Sequence, residues 1–339
     1  MFKKIAVAGF GAFGFAMTEH LSKQFETKSS HDSQICVYDD DAALMSHLHK
    51  KRTHKYLFKD IRLRENVDVA SSMSDLLEGA DILLVCIPVR KIRNYLESAI
   101  GYMPDDIIIL NCSKGIEYET GKLVSDIFLE MMASKRYRYA FLSGGMIASE
   151  FIRDEGIFSA DIVSSHARLR GELKRLFEND KLFITAKSGL RSSEILSALK
   201  NVVSIGVGIL EGLDYPYSTR ALFISSSMYE IRSFSVMLSG EGKKDPGLSF
   251  FGDFITSTTG DTRNKYLGKL IGRGTEPQDA IRQLHKKNLT AEGFWTINAI
   301  SDVLAEDKSR FPILSLLHDI LYRSRDARDI SSFMVKERK

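Results

Sequence analysis

Three features of the sequence predict an α/β chain: strand-length apolar runs alternating with amphipathic segments, a glycine-rich turn just after the first run, and the near loss of strand signal beyond residue 190. The expected fold class is an N-terminal doubly wound, mostly parallel sheet followed by an all-α C-terminal domain. The division falls at 1–189 and 190–339.

The runs KIAVA (4–8), QICVY (34–38), DILLVCIP (81–88), DIIILNC (106–112) and YAFLS (139–143) have strand length. Several are apolar almost throughout, as strands covered on both faces are. Residues 15–24, 42–49, 91–100 and 121–132 supply the helices between them. Further helices are expected over 192–213, 218–238, 277–287, 291–304 and 311–324. The segment 239–253, rich in Gly and charge, reads as a loop between two of these. Residues 323–339 are charged and are expected to end the chain as a solvated helix or tail.

The 339 residues suffice for about two domains. With 44% hydrophobic and 27% charged residues, the composition excludes disorder, collagen-like repeats and a small disulfide scaffold. A net charge of +3 is too balanced to indicate a nucleic-acid partner. Cys36, Cys86 and Cys112 lie in apolar, strand-like runs and read as buried thiols of a reducing compartment. The longest uninterrupted apolar stretch, 82–89, is short of the ~20 residues a membrane span needs. With no signal-peptide pattern at the first strand, a cytoplasmic protein is expected.

Gly9-Phe10-Gly11-Ala12-Phe13-Gly14 fits GxGxxG and sits between a strand and a helix, the setting of Rossmann dinucleotide sites. The first glycine permits the tight turn, the second lets the backbone approach a pyrophosphate, and the third allows close helix packing. Free N–H groups at the helix start then face the phosphates. The second strand ends in Tyr38-Asp39-Asp40-Asp41. A carboxylate there accepts from the adenine ribose hydroxyls and repels a 2′-phosphate, so Asp39 favours NAD over NADP.

The stretch 198–209 is hydrophobic around most of its circumference, which describes a buried helix. Burial disfavours the Lys200 ammonium and brings its pKa toward the range of a general acid/base for a carbonyl–alcohol pair. The alternative is a lysine whose stem snorkels to the surface. Asn201 beside it offers a hydrogen-bonding amide. A second polar island runs from Gly252-Asp253-Phe254 to Asp261-Thr262-Arg263-Asn264. Asp253 is a candidate to orient the lysine. Arg263 is either a phosphate-binding fork or an ordinary arginine in a surface turn.

Taken together these residues resemble bacterial-type NAD(P)-dependent glycerol-3-phosphate dehydrogenase over nearly the whole chain. The likeness runs through the glycine loop, Ile87-Pro88 with Arg93, Ser113-Lys114-Gly115-Ile116-Glu117, Leu142-Ser143-Gly144 with Ala148 and Glu150, and Glu194 with Ala198-Leu199-Lys200-Asn201. It continues in Gly252-Asp253-Phe254, Thr262-Arg263-Asn264 and Glu292-Gly293. The resemblance implies reduction of dihydroxyacetone phosphate to sn-glycerol 3-phosphate, with Lys200 as acid/base, Asp253 paired to it, and Lys114 reaching cofactor and substrate. It implies that Arg263 and Asn264 hold the phosphate end, with Arg263 also near the cofactor, and that Thr262 belongs to the substrate site. Gly144 and Asn201 would meet the substrate, while Ala148 and Glu292 would line the cofactor. It further implies a homodimer formed through the helical domain. No metal is expected.

The sequence departs from the family at Gly145 and Met146, where Pro and a small polar residue are usual, and at Ser218, Ser226-Ser227 and Phe250. Met146 at a substrate-facing position would remove a hydrogen bond, so a different small phosphorylated ketone is a second reading. The Ser143-Gly144-Gly145 run also resembles that of hydroxyisobutyrate-type dehydrogenases, but those place Asn four residues after the lysine, where Ser204 stands here. A non-catalytic dinucleotide sensor or scaffold is the alternative of another class. Lys200, Asp253, Lys114 and Arg263 together argue against it.

Overall fold

The computed structural model describes residues 2–27, 33–287 and 289–332. Their contacts divide the chain into two compact units: one takes residues up to Ser113, Val124–Leu190 and Gly247–Ser249, the other Lys114–Leu123, Arg191–Pro246 and Phe250 onward.

The first unit is built on an eight-stranded sheet: β1 (Lys4–Ala8), β2 (Gln34–Tyr38), β3 (Val67–Val69), β4 (Ile82–Val85), β5 (Ile107–Asn111), β6 (Tyr137–Gly144), β7 (Phe158–Val163) and β8 (Leu182–Lys187). The order is β3-β2-β1-β4-β5-β6-β7-β8. All neighbours are parallel except β6 and β7. Apolar residues cover both faces. In β1, Ile5 and Val7 join the layer that contains Phe15 and Leu21 of helix Ala12–Thr27, while Ala6 and Ala8 join the opposite layer. That two-sided burial is why the strands lack polar alternation.

Parallel pairing of Ala8 with Tyr38 and with Val85 brings three strand ends together. Gly9, Asp39 and Cys86 therefore follow side by side. Cys36 and Cys112 are buried and outside any disulfide, as expected, whereas Cys86 is only half-buried.

In the second unit, helix Leu190–Gly212 is the axis, with residues 194–210 buried without interruption. By length and composition it could cross a membrane, yet 94% of its most apolar stretch is buried inside the protein. Phe223, Phe234, Phe254, Phe294 and Phe311 surround it in one apolar core. Helix Arg263–Gly272 packs on it through opposed glycines. A Cβ on Gly268 would overlap the Ile205 carbonyl, and one on Gly208 would overlap that of Lys265.

Several elements differ from the sequence-based expectation. The loop expected over 239–253 ends early: helix Leu248–Thr259 begins after Pro246-Gly247 and carries Asp253 on its second turn. Its apolar LSFF start outweighs the propensity cost of Gly252. Arg263 and Asn264, the end of the polar island, open helix Arg263–Gly272, which the Thr262 hydroxyl caps. The helix expected over 291–304 divides at Ile300 into Glu292–Ala299 and Ser301–Glu306. Strands β3, β7 and β8 were not anticipated; in β8, at the sheet edge, the exposed Phe183 hides the apolar–polar alternation. Of the tail expected over 323–339, Ala327–Ser332 forms a 3₁₀ helix and 333–339 lies outside the described residues.

Gly268→Ala should cost about 1–3 kcal/mol, because the new methyl must push one helix off the other. Urea unfolding of the variant against the unsubstituted protein measures it.

Candidate active site

In the first unit the glycine loop is shaped by backbone contact. Gly9 has φ +87°, and a Cβ there would lie 2.7 Å from the Cys86 carbonyl oxygen. A Cβ on Gly14 would overlap the Gly9 carbonyl, so the helix start can close on the turn only without a side chain. Around Gly11, by contrast, nothing lies within 4 Å of the Cβ position. That open space at the N-terminus of helix Ala12–Thr27 suits a pyrophosphate.

Asp39 is tied into the same loop. Its Oδ2 accepts from Phe10 N–H at 2.7 Å and its Oδ1 from Asp41 N–H at 2.9 Å. Burial pushes its carboxyl above the ordinary carboxylate range, against the pull of those two N–H donors. Asp40 pairs instead with Lys91 at 2.7 Å, a cation that the sequence reading had not linked to this acidic turn.

In the second unit, Lys200 does not snorkel: it is only 4% exposed. Its Nζ donates to Asp253 Oδ1 at 2.9 Å and to Ser257 Oγ at 2.5 Å. The other Asp253 oxygen accepts from Lys114 Nζ at 2.8 Å. Asp253 and Ser257 lie four residues apart and so share one helix face. One carboxylate thus stands between two ammonium groups. Burial pulls the Lys200 pKa down to about 8, helped by Lys114 and opposed by Asp253. Burial alone would raise the Asp253 carboxyl, but Lys114 and Lys200 outweigh it and hold it below its usual value. Of the three N–H bonds of Lys200, two are used and one is left for a ligand.

One turn further along, Ser204 Oγ donates to the Ser257 carbonyl at 2.6 Å and lies 3.0 Å from Thr262 Oγ1. Thr262 in turn caps helix Arg263–Gly272. A cavity of about 270 Å³ opens beside this cap, lined in part by Thr262, Arg263, Lys265 and Lys269.

The matches to known proteins agree with this assembly of parts. Descriptions of NAD-dependent glycerol-3-phosphate dehydrogenase match at its N-terminus over residues 4–168 and at its C-terminus over residues 190–332. The chain belongs to this family. A glycerol-3-phosphate dehydrogenase [NAD(P)+] of Fusobacterium nucleatum is 29% identical over 99% of this chain and 98% of its own length. That of Syntrophomonas wolfei is 28% identical over 99% and 96%. The fold is that of the glycerol-3-phosphate dehydrogenase from Coxiella burnetii, at a TM-score of 0.86 over 98% of both chains with 18% identity.

The remaining candidates from the family pattern fall as follows. Asn201 is buried next to Lys200, and a Cβ on Gly293 would lie 2.5 Å from the Asn201 carbonyl oxygen. Asn264 Oδ1 accepts from Gly293 N–H at 3.1 Å, which ties Arg263–Gly272 to the start of Glu292–Ala299. Arg263 is exposed, 3.3 Å from Thr290 Oγ1. Gly144 closes β6, where a Cβ would overlap the Ser159 carbonyl on β7. Ala148 opens a short helix after that strand.

Met146 is buried in the apolar layer of the first unit and Phe250 in the core of the second, so both substitutions are packing residues. Ser257 was missed. Its signal was present, since it follows Asp253 by four residues, but it needed helix Leu248–Thr259, whose first half falls in the expected loop 239–253.

Asp253→Ala should cost about 3–5 kcal/mol, because it leaves two ammonium groups without their carboxylate. Adding Lys200→Met should recover a large part of that loss. Chemical denaturation of both variants reads the difference.

Proposed function

We propose that the protein interconverts dihydroxyacetone phosphate and sn-glycerol 3-phosphate with NAD(H), using Lys200 as general acid/base. The observation that carries this reading is the buried Lys200–Asp253 pair, joined by the partly buried Lys114, in a chain of this family. A glycine loop that excludes side chains at Gly9 and Gly14 and leaves room at Gly11 fits a dinucleotide. Gly9, Gly11, Ala12, Phe13 and Gly14 would hold its phosphates. When bound, NADH supplies the hydride.

The residues of the chain do the rest. Lys200 holds a proton at Nζ and gives it to the C2 oxygen of the ketone as negative charge develops there. Asp253 keeps that ammonium charged and aimed, and Ser257 fixes its second N–H. Two lysines against one carboxylate leave an excess positive charge, which suits a phosphorylated, anionic substrate. Arg263, with the Asn264 amide, is assigned the phosphate end; Lys114, Gly144, Asn201 and Thr262 are assigned to the substrate. Ala148, Glu292, Lys114 and Arg263 are assigned to the cofactor.

Asp39 favours NAD over NADP, since its oxygens retain lone pairs for a ribose hydroxyl and its charge repels a 2′-phosphate. In this reading residues 1–189 carry the cofactor and 190–339 the acid/base helix, the protein is cytoplasmic, and it is a homodimer. Leu222 and Tyr229, exposed on one face of helix Tyr217–Ser239, support the last point.

Purified protein should oxidise NADH in the presence of dihydroxyacetone phosphate. Lys200→Ala should lower kcat by ~10²–10⁴-fold, the usual worth of a general acid, while NADH still binds. NADH binding without turnover on this or another phosphorylated ketone would reduce the reading to a dinucleotide sensor. Because reduction needs the charged form of Lys200, its rate should fall as pH rises through about 8. Oxidation of glycerol 3-phosphate needs the neutral amine and should rise over the same range. A pH–rate profile that is flat across this interval in both directions would remove Lys200 from the role.

A further inference from the structure

The glycine loop is held by a side chain that neither the sequence motif nor the family resemblance includes. His54, 2% exposed, lies in the loop that follows helix Ala42–Lys51. Its Nδ1 accepts from the N–H groups of Tyr56 and Leu57 at 3.1 and 3.0 Å. Two donors on one ring nitrogen place the lone pair there, so the neutral ring carries its hydrogen on Nε2. That Nε2–H donates to the Phe10 carbonyl at 2.8 Å. The ring is stacked on Phe10 and meets the edge of Phe15, with centroids 6.2 and 5.5 Å away.

Phe10 is thereby gripped at both ends, its N–H by Asp39 and its carbonyl by His54. In a planar trans peptide the N–H points opposite to the carbonyl. Fixing the Phe10 carbonyl toward the imidazole therefore turns the Gly11 N–H away from it. A peptide preceding glycine flips easily, because no Cβ resists the change in φ. The lock has something to hold.

We propose that His54 is a positioning residue of the dinucleotide site, aiming the Gly11 N–H outward to receive a phosphate oxygen. The inference rests on the dinucleotide reading of the glycine loop and adds to it a requirement for a neutral imidazole. Protonation would put a hydrogen on Nδ1, facing two N–H donors. Burial pushes the pKa of this imidazole below its ordinary value, so the neutral form prevails near pH 7. The titratable and charged groups facing it are Asp39 just after β2, Asp41 and His47 of the following turn and helix, and Tyr56 of its own loop. The two aspartates raise its pKa and His47 lowers it.

Two variants separate positioning from folding. In His54→Asn the side-chain oxygen falls near Nδ1 and still accepts from the 56–57 turn, but nothing reaches the Phe10 carbonyl. In His54→Gln the amide nitrogen falls near Nε2 and restores that donor without a titrating ring. NADH affinity, followed by fluorescence titration between pH 5 and 8, should weaken by about tenfold in His54→Asn, the order of one hydrogen bond. The KM for dihydroxyacetone phosphate and the thermal midpoint should stay close to those of the unsubstituted protein. His54→Gln should bind NADH nearly normally at pH 7.5 and lose the acid-side decline that the imidazole causes. Equal NADH affinity in all three proteins, or His54→Gln as weak as His54→Asn, overturns the inference. Failure of the unsubstituted protein to bind NADH overturns the dinucleotide reading itself, and this inference with it.

Discussion

The Asp253 carboxylate, shared between the ammonium groups of Lys200 and Lys114, is the interaction on which the chemistry of the second unit depends. Placing an amine inside a nearly all-apolar helix is unfavourable unless a counter-charge travels with it. Asp253 supplies that charge from the neighbouring helix, and Ser257 one turn on accepts a second N–H. The result is a cation sheltered from water, still largely charged at neutral pH, with one N–H to spare. A group in that state can give up a proton within the range where a cell operates.

The helices that carry these residues are held at the required spacing by the absence of side chains. Gly208 and Gly212 on one helix oppose Gly268 and Gly272 on the next, where any Cβ would meet backbone. That contact seats Thr262, the cap of the second helix, against Ser204, four residues beyond Lys200. Arg263 and Asn264 follow the cap directly, so their position is set by helix packing and capping together.

Backbone geometry dominates the first unit as well. Gly9 and Gly14 are dictated by carbonyl oxygens that leave no room for a Cβ, and Gly11 is open. The side chains that act here, Asp39 and His54, do so by gripping one peptide, that of Phe10. A phosphate would be read by N–H groups whose directions such contacts fix. The acidic turn therefore serves the shape of the loop.

Patterns of short range were legible in the sequence. The apolar runs gave five strands of the parallel core, GxGxxG in its strand–helix setting gave the loop, and a lysine in an apolar helix gave the acid/base candidate. Each of these depends on neighbours a few residues away, which periodicity records. Pairings across long separations were not legible. Ser257 lay in wait until helix Leu248–Thr259 was known, Lys91 answers an aspartate 51 residues away, and His54 reaches a carbonyl 44 residues back. The sequence by itself determined which residues are apolar, where the turns fall and which groups can titrate. Tertiary structure alone decided which carboxylate meets which amine, and which imidazole holds which carbonyl, because those partners are chosen by the packing of elements that no local pattern specifies.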